Sequence, residues 1–276
     1  MSGSLDALAD AVLEAVFAAG AAILVHYRSA GLRVHAKADD SPVTRADLDA
    51  HAVLCDALVR IAPGIPILSE EGEHQAAAER AHWSRCWIVD PLDGTREFLA
   101  QNDQFTVNVA LVEHGRPLLG VVGVPARGEA FVGLVPERRA WRATAAGGPR
   151  IPLHTRPCPA DPVVLASRSH RTADLEALLG RLRAAFPAAR ERAVGSALKL
   201  VELASGDADV YPRRGPCAEW DIAAGEAVLE AAGGLLRDFD GQPLRYNKAE
   251  TLLNPDFWAV GDPDGPLRRW LEAGKP

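Results

Sequence analysis

Apolar residues recur at three- and four-residue intervals in two segments near the start of the chain, a spacing that is typical of amphipathic helices. The first segment predicts a helix over residues 5–31, ending near Gly31, and the second predicts a helix over residues 44–60. A polar loop over residues 37–42 separates them. The first stripe comprises Leu5, Leu8, Val12, Val16, Ala19 and Ile23, and the second comprises Leu48, Val53, Leu54, Leu58 and Ile61.

The pattern then changes to short apolar runs separated by turn residues. Runs of this length at hairpin-like spacing predict antiparallel strands. Together with the two helices, this part of the chain reads as an α+β unit. The predicted strands are residues 65–68 and 86–89, followed at hairpin-like spacing by residues 105–112, 117–124, 130–134 and 139–142.

Glycine and proline interrupt the pattern over residues 147–162, and we place a domain boundary there. The prediction is an N-terminal α+β domain of residues 1–157 and a C-terminal α/β domain of residues 158–276. Beyond the boundary, strand and helix patterns alternate, which favours a partly parallel sheet. The predicted strands there are residues 163–166, 209–211 and 235–236, and the predicted helices are residues 173–185, 196–204 and 221–232.

The composition is that of a globular protein, with 276 residues of which 48% are hydrophobic. A chain of this length can bury one large core or two modest ones. Its formal net charge of −7 supplies no general positive field, so nucleic-acid binding is not expected. An anionic substrate would therefore have to be bound by a local group of cations or by metal ions.

The sequence also bears on cellular location. The longest apolar run, residues 15–25, is shorter than the ~20 residues that a membrane-spanning helix needs. Asp6 and Asp10, with no Lys or Arg among the first residues, argue against a secretory signal. We therefore expect a cytoplasmic protein without stable membrane insertion.

The four cysteines are widely separated, and no two of them form a Cys-x-x-Cys pair. This spacing fits neither a zinc site nor a disulfide scaffold. We expect reduced thiols, mostly buried, as is usual in the cytoplasm. They are Cys55, Cys86, Cys158 and Cys217.

The most informative segment is residues 87–95, which read WIVDPLDGT. It predicts a buried strand that ends and brings Asp90 and Asp93 into a loop, which then opens a helix. Carboxylates bind hard cations such as Mg²⁺, and helix N-termini attract phosphate. The alternative is an ordinary turn, because Asp-Pro and Asp-Gly pairs are abundant in turns.

Three further acidic groups lie at predicted strand ends or helix starts. Each also has a simple structural explanation: Glu70 and Glu71 as solvated acids, Asp221 as a helix cap, and Asp47 as an acid favoured by the helix dipole. Functional residues of layered α/β proteins tend to lie in such positions. If these groups converge, their mutual repulsion would oppose folding unless cations neutralise them. Convergence therefore predicts a metal site.

Two of these segments match signatures of a known family. Residues 87–95 resemble the Asp-Pro-(Ile/Leu)-Asp-Gly-Thr signature of the inositol monophosphatase superfamily of Mg²⁺-dependent, lithium-sensitive phosphatases, and residues 219–225 (EWDIAAG) resemble its Trp-Asp-x-Ala-Ala-Gly signature. Residues 69–71 (SEE) and 41–47 (SPVTRAD) match its two other acidic blocks. The resemblance implies the layered αβαβα sandwich of the sugar-phosphatase type.

Further blocks are similar to the 3'(2'),5'-bisphosphate nucleotidases of the CysQ type within this superfamily. Ala197 departs from the pattern, since it replaces a serine and removes one polar group, and Ala100 replaces a polar or basic residue. Neither position is an implied metal ligand. The similar blocks are residues 94–98 (GTREF), 105–111 (FTVNVAL), 167–170 (SRSH), 195–199 (GSALK), 211–216 (YPRRGP), 246–248 (YNK) and 253–255 (LNP).

The resemblance implies two Mg²⁺ ions, with a third, weaker ion as an addition. The first would be held by Glu70, Asp90 and the Leu92 carbonyl, and the second by Asp90, Asp93 and Asp221. Glu71 would help with the third ion or its waters.

For the chemistry, the resemblance implies that Asp47 and Thr95 position and deprotonate the attacking water, with Glu70 as a further catalytic residue. Gly94 and Thr95 N–H groups would bind phosphate oxygens. Ser167, Ser196 and Asp221 are further implied substrate contacts.

A nucleoside bisphosphate carries a second phosphate that these metals do not reach. The implied cationic partners are Lys199, Arg213 and His170. Without the resemblance, Lys199 is equally well explained as a lysine whose stem packs while its ammonium reaches solvent. A lone histidine such as His170 is more often a surface or capping residue.

The sequence therefore predicts a Mg²⁺-dependent enzyme of sulfur assimilation, acting as a monomer or homodimer on a small nucleoside bisphosphate. It would hydrolyse the 3'-phosphate of adenosine 3',5'-bisphosphate, with 3'-phosphoadenylyl sulfate as a further candidate substrate. An inositol or other sugar phosphatase is the alternative enzyme. A catalytically idle nucleotide-binding module is the alternative outside enzymes, and the intact acids at every implied metal position argue against it.

Overall fold

The computed structural model of the chain describes residues 4–27, 34–36, 42–168, 171–247 and 250–273. Within these residues the chain forms eight α-helices. They are α1 (Leu5–His26), α2 (Arg45–Ile61), α3 (Ala77–Arg80), α4 (Thr95–Leu99), α5 (Ala173–Ala185), α6 (Leu198–Ala204), α7 (Glu219–Ala231) and α8 (Pro266–Ala273).

The strands form a seven-stranded sheet of order β3-β4-β5-β6-β7-β8-β9, a five-stranded sheet of order β11-β10-β12-β14-β13 and the pair β1-β2. They are β1 (Val34–Ala36), β2 (Pro42–Thr44), β3 (Ile67–Ser69), β4 (Arg85–Asp93), β5 (Thr106–Glu113), β6 (Arg116–Val124), β7 (Glu129–Leu134), β8 (Arg139–Ala143), β9 (Ile151–Pro152), β10 (Val163–Ser167), β11 (Arg190–Val194), β12 (Val210–Arg213), β13 (Leu235–Asp238) and β14 (Phe257–Val260).

The smaller sheet is partly parallel as predicted, and the larger sheet is antiparallel as predicted except at its first pair. In the larger sheet, β3 pairs with β4 in parallel and every later pair is antiparallel. In the smaller sheet, β10 pairs in parallel with β11 and β12, whereas β14 runs antiparallel to both of its neighbours.

Three apolar clusters stack these elements into five layers. The first contains residues of α1 and α2 and one face of β4, including Trp87 and Val89. The second contains the opposite face of β4, with Ile88, together with α6, α7 and inward residues of the smaller sheet. The third lies between that sheet and the pair α5 and α8. Alternate side chains of β4 therefore pack into two different apolar clusters, one on each face of the sheet. The predicted αβαβα sandwich is confirmed.

The two N-terminal helices differ from the prediction in detail. Ser4 caps α1, which ends at His26 because the backbone of Tyr27 is extended. The predicted end near Gly31 is therefore wrong, and most of the polar loop predicted at residues 37–42 lies outside the described residues. In α2, Leu48 was predicted to be in the apolar stripe but is 45% exposed, whereas Ala46 and Ala50 are buried.

By length and composition, α1 could cross a membrane, since it is apolar over more residues than the uninterrupted run suggested. Eight of its residues, among them Val12, Val16 and Ile23, are nevertheless buried in the structure. They pack with α2 and the larger sheet in one apolar cluster. A helix of a protein core buries one face in this way.

Several elements were missed by the sequence prediction. Among them, β11 and α8 each contain two arginines that interrupt an apolar pattern, and β14 is a short apolar run without alternation. The boundary predicted between residues 157 and 158 stays a prediction, and one apolar cluster contains residues from both sheets.

Two glycines explain how closely α7 lies on the larger sheet. A Cβ at Gly120 would be 2.2 Å from the Ala224 carbonyl oxygen, and one at Gly133 would be 2.5 Å from the Ala227 carbonyl oxygen. Heavy atoms do not approach that closely, so any side chain at these positions would push α7 away from β6 and β7. The contact matters for function because α7 begins with Glu219 and carries Asp221.

Candidate active site

The signature segment keeps its strand character further than predicted. We expected β4 to end before Asp90, but β4 runs through Asp93. Asp90 pairs with Asn108 and Asp93 pairs with Thr106, and the register shifts between these two pairs. A bulge inserts extra residues in one strand and redirects its side chains. Here it allows both acids to point toward the same place while both remain attached to the sheet.

Asp93 is oriented by three donors that all reach its Oδ2 atom. The Ala197 N–H lies at 2.6 Å, Asn108 Nδ2 at 3.3 Å and Thr106 Oγ1 at 3.4 Å. Ala197, which replaces a serine of the family pattern, thus orients Asp93 through its backbone N–H. Because all three donors bind Oδ2, the other carboxylate oxygen of Asp93, Oδ1, is the one that can bind a further group such as a cation.

Asp47 and Asp221 occupy equivalent places in their helices. Each is the third residue of its helix, and its Oδ2 accepts a hydrogen bond from the backbone N–H of the capping residue, Thr44 at 2.8 Å and Ala218 at 3.1 Å. An acid there also interacts favourably with the helix dipole. Asp221 was predicted to begin its helix, but α7 starts two residues earlier. Its Oδ2 also accepts from Cys217 Sγ, at 3.3 Å.

Three of the predicted acids converge. Ligand oxygens of Asp90, Asp93 and Asp221 all lie within 4.8 Å of one another. Burial, with the neighbouring negative charges, raises the pKa of all three carboxyls, and that of Asp221 to about 7. Ionised carboxylates at this separation repel each other strongly in a buried site.

The donor chemistry of this cluster fits a hard divalent cation. Asp90 is 1% exposed, and its Oδ1 accepts a hydrogen bond from the Leu92 N–H at 3.0 Å. Its Oδ2 is buried with no hydrogen-bond partner among the described residues. A buried oxygen without a donor is costly in an apolar core, but it is what an oxygen-coordinated cation requires.

The two glutamates after β3 lie in different surroundings. Glu70 lines the same cavity as the acidic cluster, and its charge raises the pKa of Asp90 and Asp221. Glu71 is not part of that cavity lining. Its charge instead acts on Asp47 and on His51.

Asp47 reaches the cavity through Thr95. It is 2% exposed and absent from the cavity lining, whereas Thr95 lines the cavity. Thr95 Oγ1 lies 3.3 Å from Asp47 Oδ1 and 3.4 Å from the Leu92 carbonyl oxygen. Burial raises the pKa of Asp47 despite the hydrogen bonds from Thr44. A buried acid one hydroxyl away from the cavity can accept a proton through that hydroxyl.

Two basic side chains also line the cavity. The cavity has a volume of about 330 Å³, and Lys199 and Arg213 line it together with the acids. Lys199 Nζ donates to the Ser196 carbonyl at 2.5 Å and the Val194 carbonyl at 3.3 Å, and lies 5.3 Å from the centre of the Tyr211 ring. Burial lowers the pKa of Lys199, while the charge of Asp93 acts in the opposite direction.

Arg213 is 6% exposed and only partly paired. Its Nη2 donates to the Pro216 carbonyl at 2.5 Å, and its Nε is buried with no partner among the described residues. Ser167 and Ser196 lie in the same cavity lining. The cavity lining therefore combines acidic side chains with two cationic ones.

Most of the predicted site residues thus share one cavity or contact it, and His170 lies outside the described residues. Gly94 and Thr95 also line the cavity, where Gly94 adopts a left-handed backbone with φ of 88°. The sequence reasoning missed the further lining residues Arg96, Glu97, Tyr211, Cys217, Trp220 and Leu253.

Adjacency to the signatures could have identified several of these lining residues. Arg96 and Glu97 follow the first signature directly, and Cys217 and Trp220 flank Glu219. Leu253 belongs to the similar block 253–255, but its place beside the cavity depends on the isolated bridge between Ala218 and Leu253, which the sequence does not show.

Comparison with known proteins agrees with this geometry. Residues 4–261 match the inositol monophosphatase family. The chain is 43% identical over 250 residues to the 3'(2'),5'-bisphosphate nucleotidase CysQ of Escherichia coli O157:H7, with 90% of this chain and 97% of the relative covered. It is 34% identical over 253 residues to the protein of the same name from Buchnera aphidicola, with 91% and 92% covered.

Solved structures lead to the same family. The crystal structure of CysQ from Bacteroides thetaiotaomicron, a bacterial member of the inositol monophosphatase family, is similar with a TM-score of 0.81, 35% identity and coverage of 93% of this chain and 98% of that chain. An inositol monophosphatase from Anabaena has a TM-score of 0.74 at 25% identity, with 99% and 97% covered. The chain therefore belongs to the inositol monophosphatase family of metal-dependent phosphatases.

Proposed function

We propose that this chain is a Mg²⁺-dependent 3'-phosphatase that converts adenosine 3',5'-bisphosphate and water to AMP and phosphate in the cytoplasm. The names of its relatives, at 42–43% identity over 90% of the chain, support this activity. The observation that carries the proposal is that an acidic trio, Lys199 and Arg213 line one and the same cavity. Such a cavity can hold a substrate with one phosphate at the metals and a second phosphate near the cations.

The acidic residues would hold two Mg²⁺ ions. We assign Glu70, Asp90 and the Leu92 carbonyl to one ion and Asp90, Asp93 and Asp221 to the other, with Glu71 nearby for a weaker third ion or its waters. The oxygen of Asp90 that lacks a donor supports this assignment. When bound, such ions acidify a coordinated water and stabilise a leaving alkoxide.

The chain's own residues would then direct the proton and the phosphate. Thr95 Oγ1, between Asp47 and the Leu92 carbonyl, would accept a hydrogen bond from the attacking water and pass its proton toward Asp47. Backbone N–H groups of Gly94 and Thr95 would bind the oxygens of the reacting phosphate. Water attacks phosphorus, the bond from phosphorus to the ribose O3' breaks, and the ribose oxygen takes up a proton.

Lys199 and Arg213 would bind the second phosphate, with Ser167 and Ser196 as polar contacts beside them. Both cations are already held in place by carbonyl oxygens. Arginine keeps its charge when buried, and a guanidinium recognises phosphate well. A substrate without a second phosphate would leave this part of the cavity unused.

A substrate panel tests the proposal. We expect kcat/KM with Mg²⁺ to be highest for adenosine 3',5'-bisphosphate and lower for inositol 1-phosphate and fructose 1,6-bisphosphate. EDTA should abolish phosphate release, which would exclude an idle binding module. A higher kcat/KM for inositol 1-phosphate would contradict the assigned substrate while leaving the reaction class intact.

A further inference from the structure

Ser69, the residue directly before Glu70 and Glu71, is contacted by two histidines. It is 2% exposed at the end of β3. His51 Nδ1 lies 2.9 Å from the Ser69 hydroxyl, and His74 Nε2 lies 2.9 Å from the Ser69 carbonyl oxygen. Because a carbonyl can only accept, His74 must carry its proton on Nε2 and donate it.

The two histidines also connect this serine to the other acidic segments. His51 lies one turn after Asp47 on α2. The ring of His74 lies 5.2 Å from that of Trp220, the residue before Asp221, at an interplanar angle of 41°. Ser69 is thus joined to the helix that carries Asp47 and to the helix that carries Asp221.

These contacts oppose a repulsion that the cavity creates. The negative charge of Glu70 adds to the effect of burial in raising the pKa of Asp90 and Asp221, so these acids oppose one another when no cation is bound. The backbone supplies two restraints, because the Glu70 N–H donates to the Val89 carbonyl at 3.1 Å and the Gly72 N–H donates to the Ser69 carbonyl at 3.1 Å. Residues 70–72 form a turn, and the two histidine contacts fix the serine at which this turn begins.

We propose that His51 and His74 are positioning residues that hold Glu70 and Glu71 in the orientation required for divalent-cation binding. The inference rests on the proposed function, because it takes Glu70 and Glu71 to be ligands of Mg²⁺ or of its waters. Neither histidine lines the cavity, so we expect neither to contact the substrate. Their effect is exerted through Ser69 and, for His74, also through Trp220.

The test is Mg²⁺ binding to the metal-free full-length protein, measured by calorimetry and by the Mg²⁺-induced rise in Tm. Loss of groups that orient metal ligands commonly lowers metal affinity 10–100-fold. We expect His51→Ala and His74→Ala each to weaken Mg²⁺ binding about tenfold. The Mg²⁺ concentration for half-maximal activity should rise in parallel, while kcat at saturating Mg²⁺ changes much less.

Conservative variants separate positioning from general structural damage. Asparagine can place an amide nitrogen near the position of a histidine Nδ1, and glutamine near that of Nε2. His51→Asn and His74→Gln should therefore recover Mg²⁺ affinity, whereas His51→Gln should not. These variants decide the question even if an alanine variant fails to fold. His82→Ala is the matched control, because His82 is exposed in a turn and should have no effect.

Unchanged Mg²⁺ affinity in both alanine variants would overturn the positioning role while leaving the proposed function standing. Equal affinities for His51→Asn and His51→Gln would also overturn it for His51. A wild-type protein that neither binds Mg²⁺ nor releases phosphate would instead overturn the proposed function, and the positioning role with it.

Discussion

At the scale of single residues, the site depends on how each carboxylate divides its two oxygens between protein donors and the cavity. Asp93 receives three donors on Oδ2, and Asp90 receives one donor on Oδ1 and none on Oδ2. The protein therefore fixes the orientation of these side chains before any ion is bound. Preorganised ligands lose little conformational entropy on binding, which favours tight and specific coordination.

Asp93→Asn is expected to remove nearly all phosphatase activity while the fold survives. The amide cannot replace the charge at the second proposed ion, but it can occupy the same space beside Ala197 and Asn108. We expect kcat to fall more than tenfold, a loss above ~1.4 kcal/mol of transition-state stabilisation. Phosphate release with saturating Mg²⁺ measures the loss, and Tm in EDTA serves as the control for folding. Retention of more than about a tenth of wild-type kcat would contradict the role of Asp93.

Lys199→Met tests the cationic side of the cavity. Methionine keeps an unbranched apolar side chain of similar length but removes the ammonium group that lies beside the Tyr211 ring. We expect kcat/KM to fall more for adenosine 3',5'-bisphosphate than for adenosine 3'-monophosphate, because only the former has a second phosphate to bind. Equal losses on both substrates would indicate that Lys199 acts mainly by supporting the Ser196 backbone, which it also contacts.

These residue-level results show what the sequence could and could not predict. Asp90, Asp93 and Asp221 lie in short contiguous motifs, so their convergence could be predicted from the signatures. The hydrogen bond from the Ala197 N–H to Asp93 could not, because a backbone donor is independent of side-chain identity. The contact of His74 with Ser69 could not be predicted either, because nothing in the sequence distinguishes this histidine from one on an exposed loop.

At the scale of elements, α7 matters most because it connects the site to both sheets. Its N-terminal turn carries Asp221, and its face lies on glycines of β6 and β7. The presence of α7 was predicted from its alanine-rich, glycine-terminated pattern. Its close approach to the sheet was not, because the relevant glycines lie in strands far away in the chain. Likewise, β11 was missed because its first three residues, Arg190 to Arg192, are exposed and charged.

Gly120→Ala should therefore damage both stability and metal binding. The new Cβ would lie 2.2 Å from the Ala224 carbonyl oxygen and 2.7 Å from the Ala227 Cβ, so α7 must move. Overpacking of a core usually costs about 1–3 kcal/mol, and a displaced Asp221 should also weaken Mg²⁺ binding. Denaturant unfolding in EDTA and Mg²⁺ titration measure the two effects.

Gly180→Ala is the matched control for this substitution. Gly180 is exposed within α5, and its new Cβ would meet no atom within 4 Å. Replacing glycine by alanine within a helix stabilises it by about 0.5–1 kcal/mol. If Gly120→Ala were as harmless as Gly180→Ala, the close packing of α7 would not be what positions Asp221.

At the scale of the whole molecule, the acidic cluster lies where the sheets and the helix layer between them meet. Asp90 and Asp93 come from the larger sheet, and Asp221 comes from α7, the helix between the sheets. Hydrophobic burial in three clusters brings these charges together against their repulsion. The free energy of unfolding of the metal-free protein should therefore depend on pH, and bound Mg²⁺ should offset this dependence.

The sign of this dependence follows from the raised pKa values. The folded protein holds protons on Asp90, Asp93 and Asp221 at pH values where the unfolded chain has released them. For these groups, the free energy of unfolding in EDTA should fall as pH rises from about 4 toward the folded pKa of Asp221, about 7. Mg²⁺ binds the ionised carboxylates, so its stabilising effect should grow over the same range.

Tm measured in EDTA and in saturating Mg²⁺ between about pH 5 and pH 8 tests this expectation. The buried carboxyl of Glu226, whose pKa burial raises to about 7, also titrates in this range but contributes equally to both series. The difference between the two series therefore isolates the acidic cluster. We expect this difference to increase with pH in the wild type and to become small and nearly flat in Asp221→Asn, because that variant removes a charge which both the repulsion and the ion require. A wild-type difference that did not vary with pH would mean that cation binding does not depend on ionising these carboxyls.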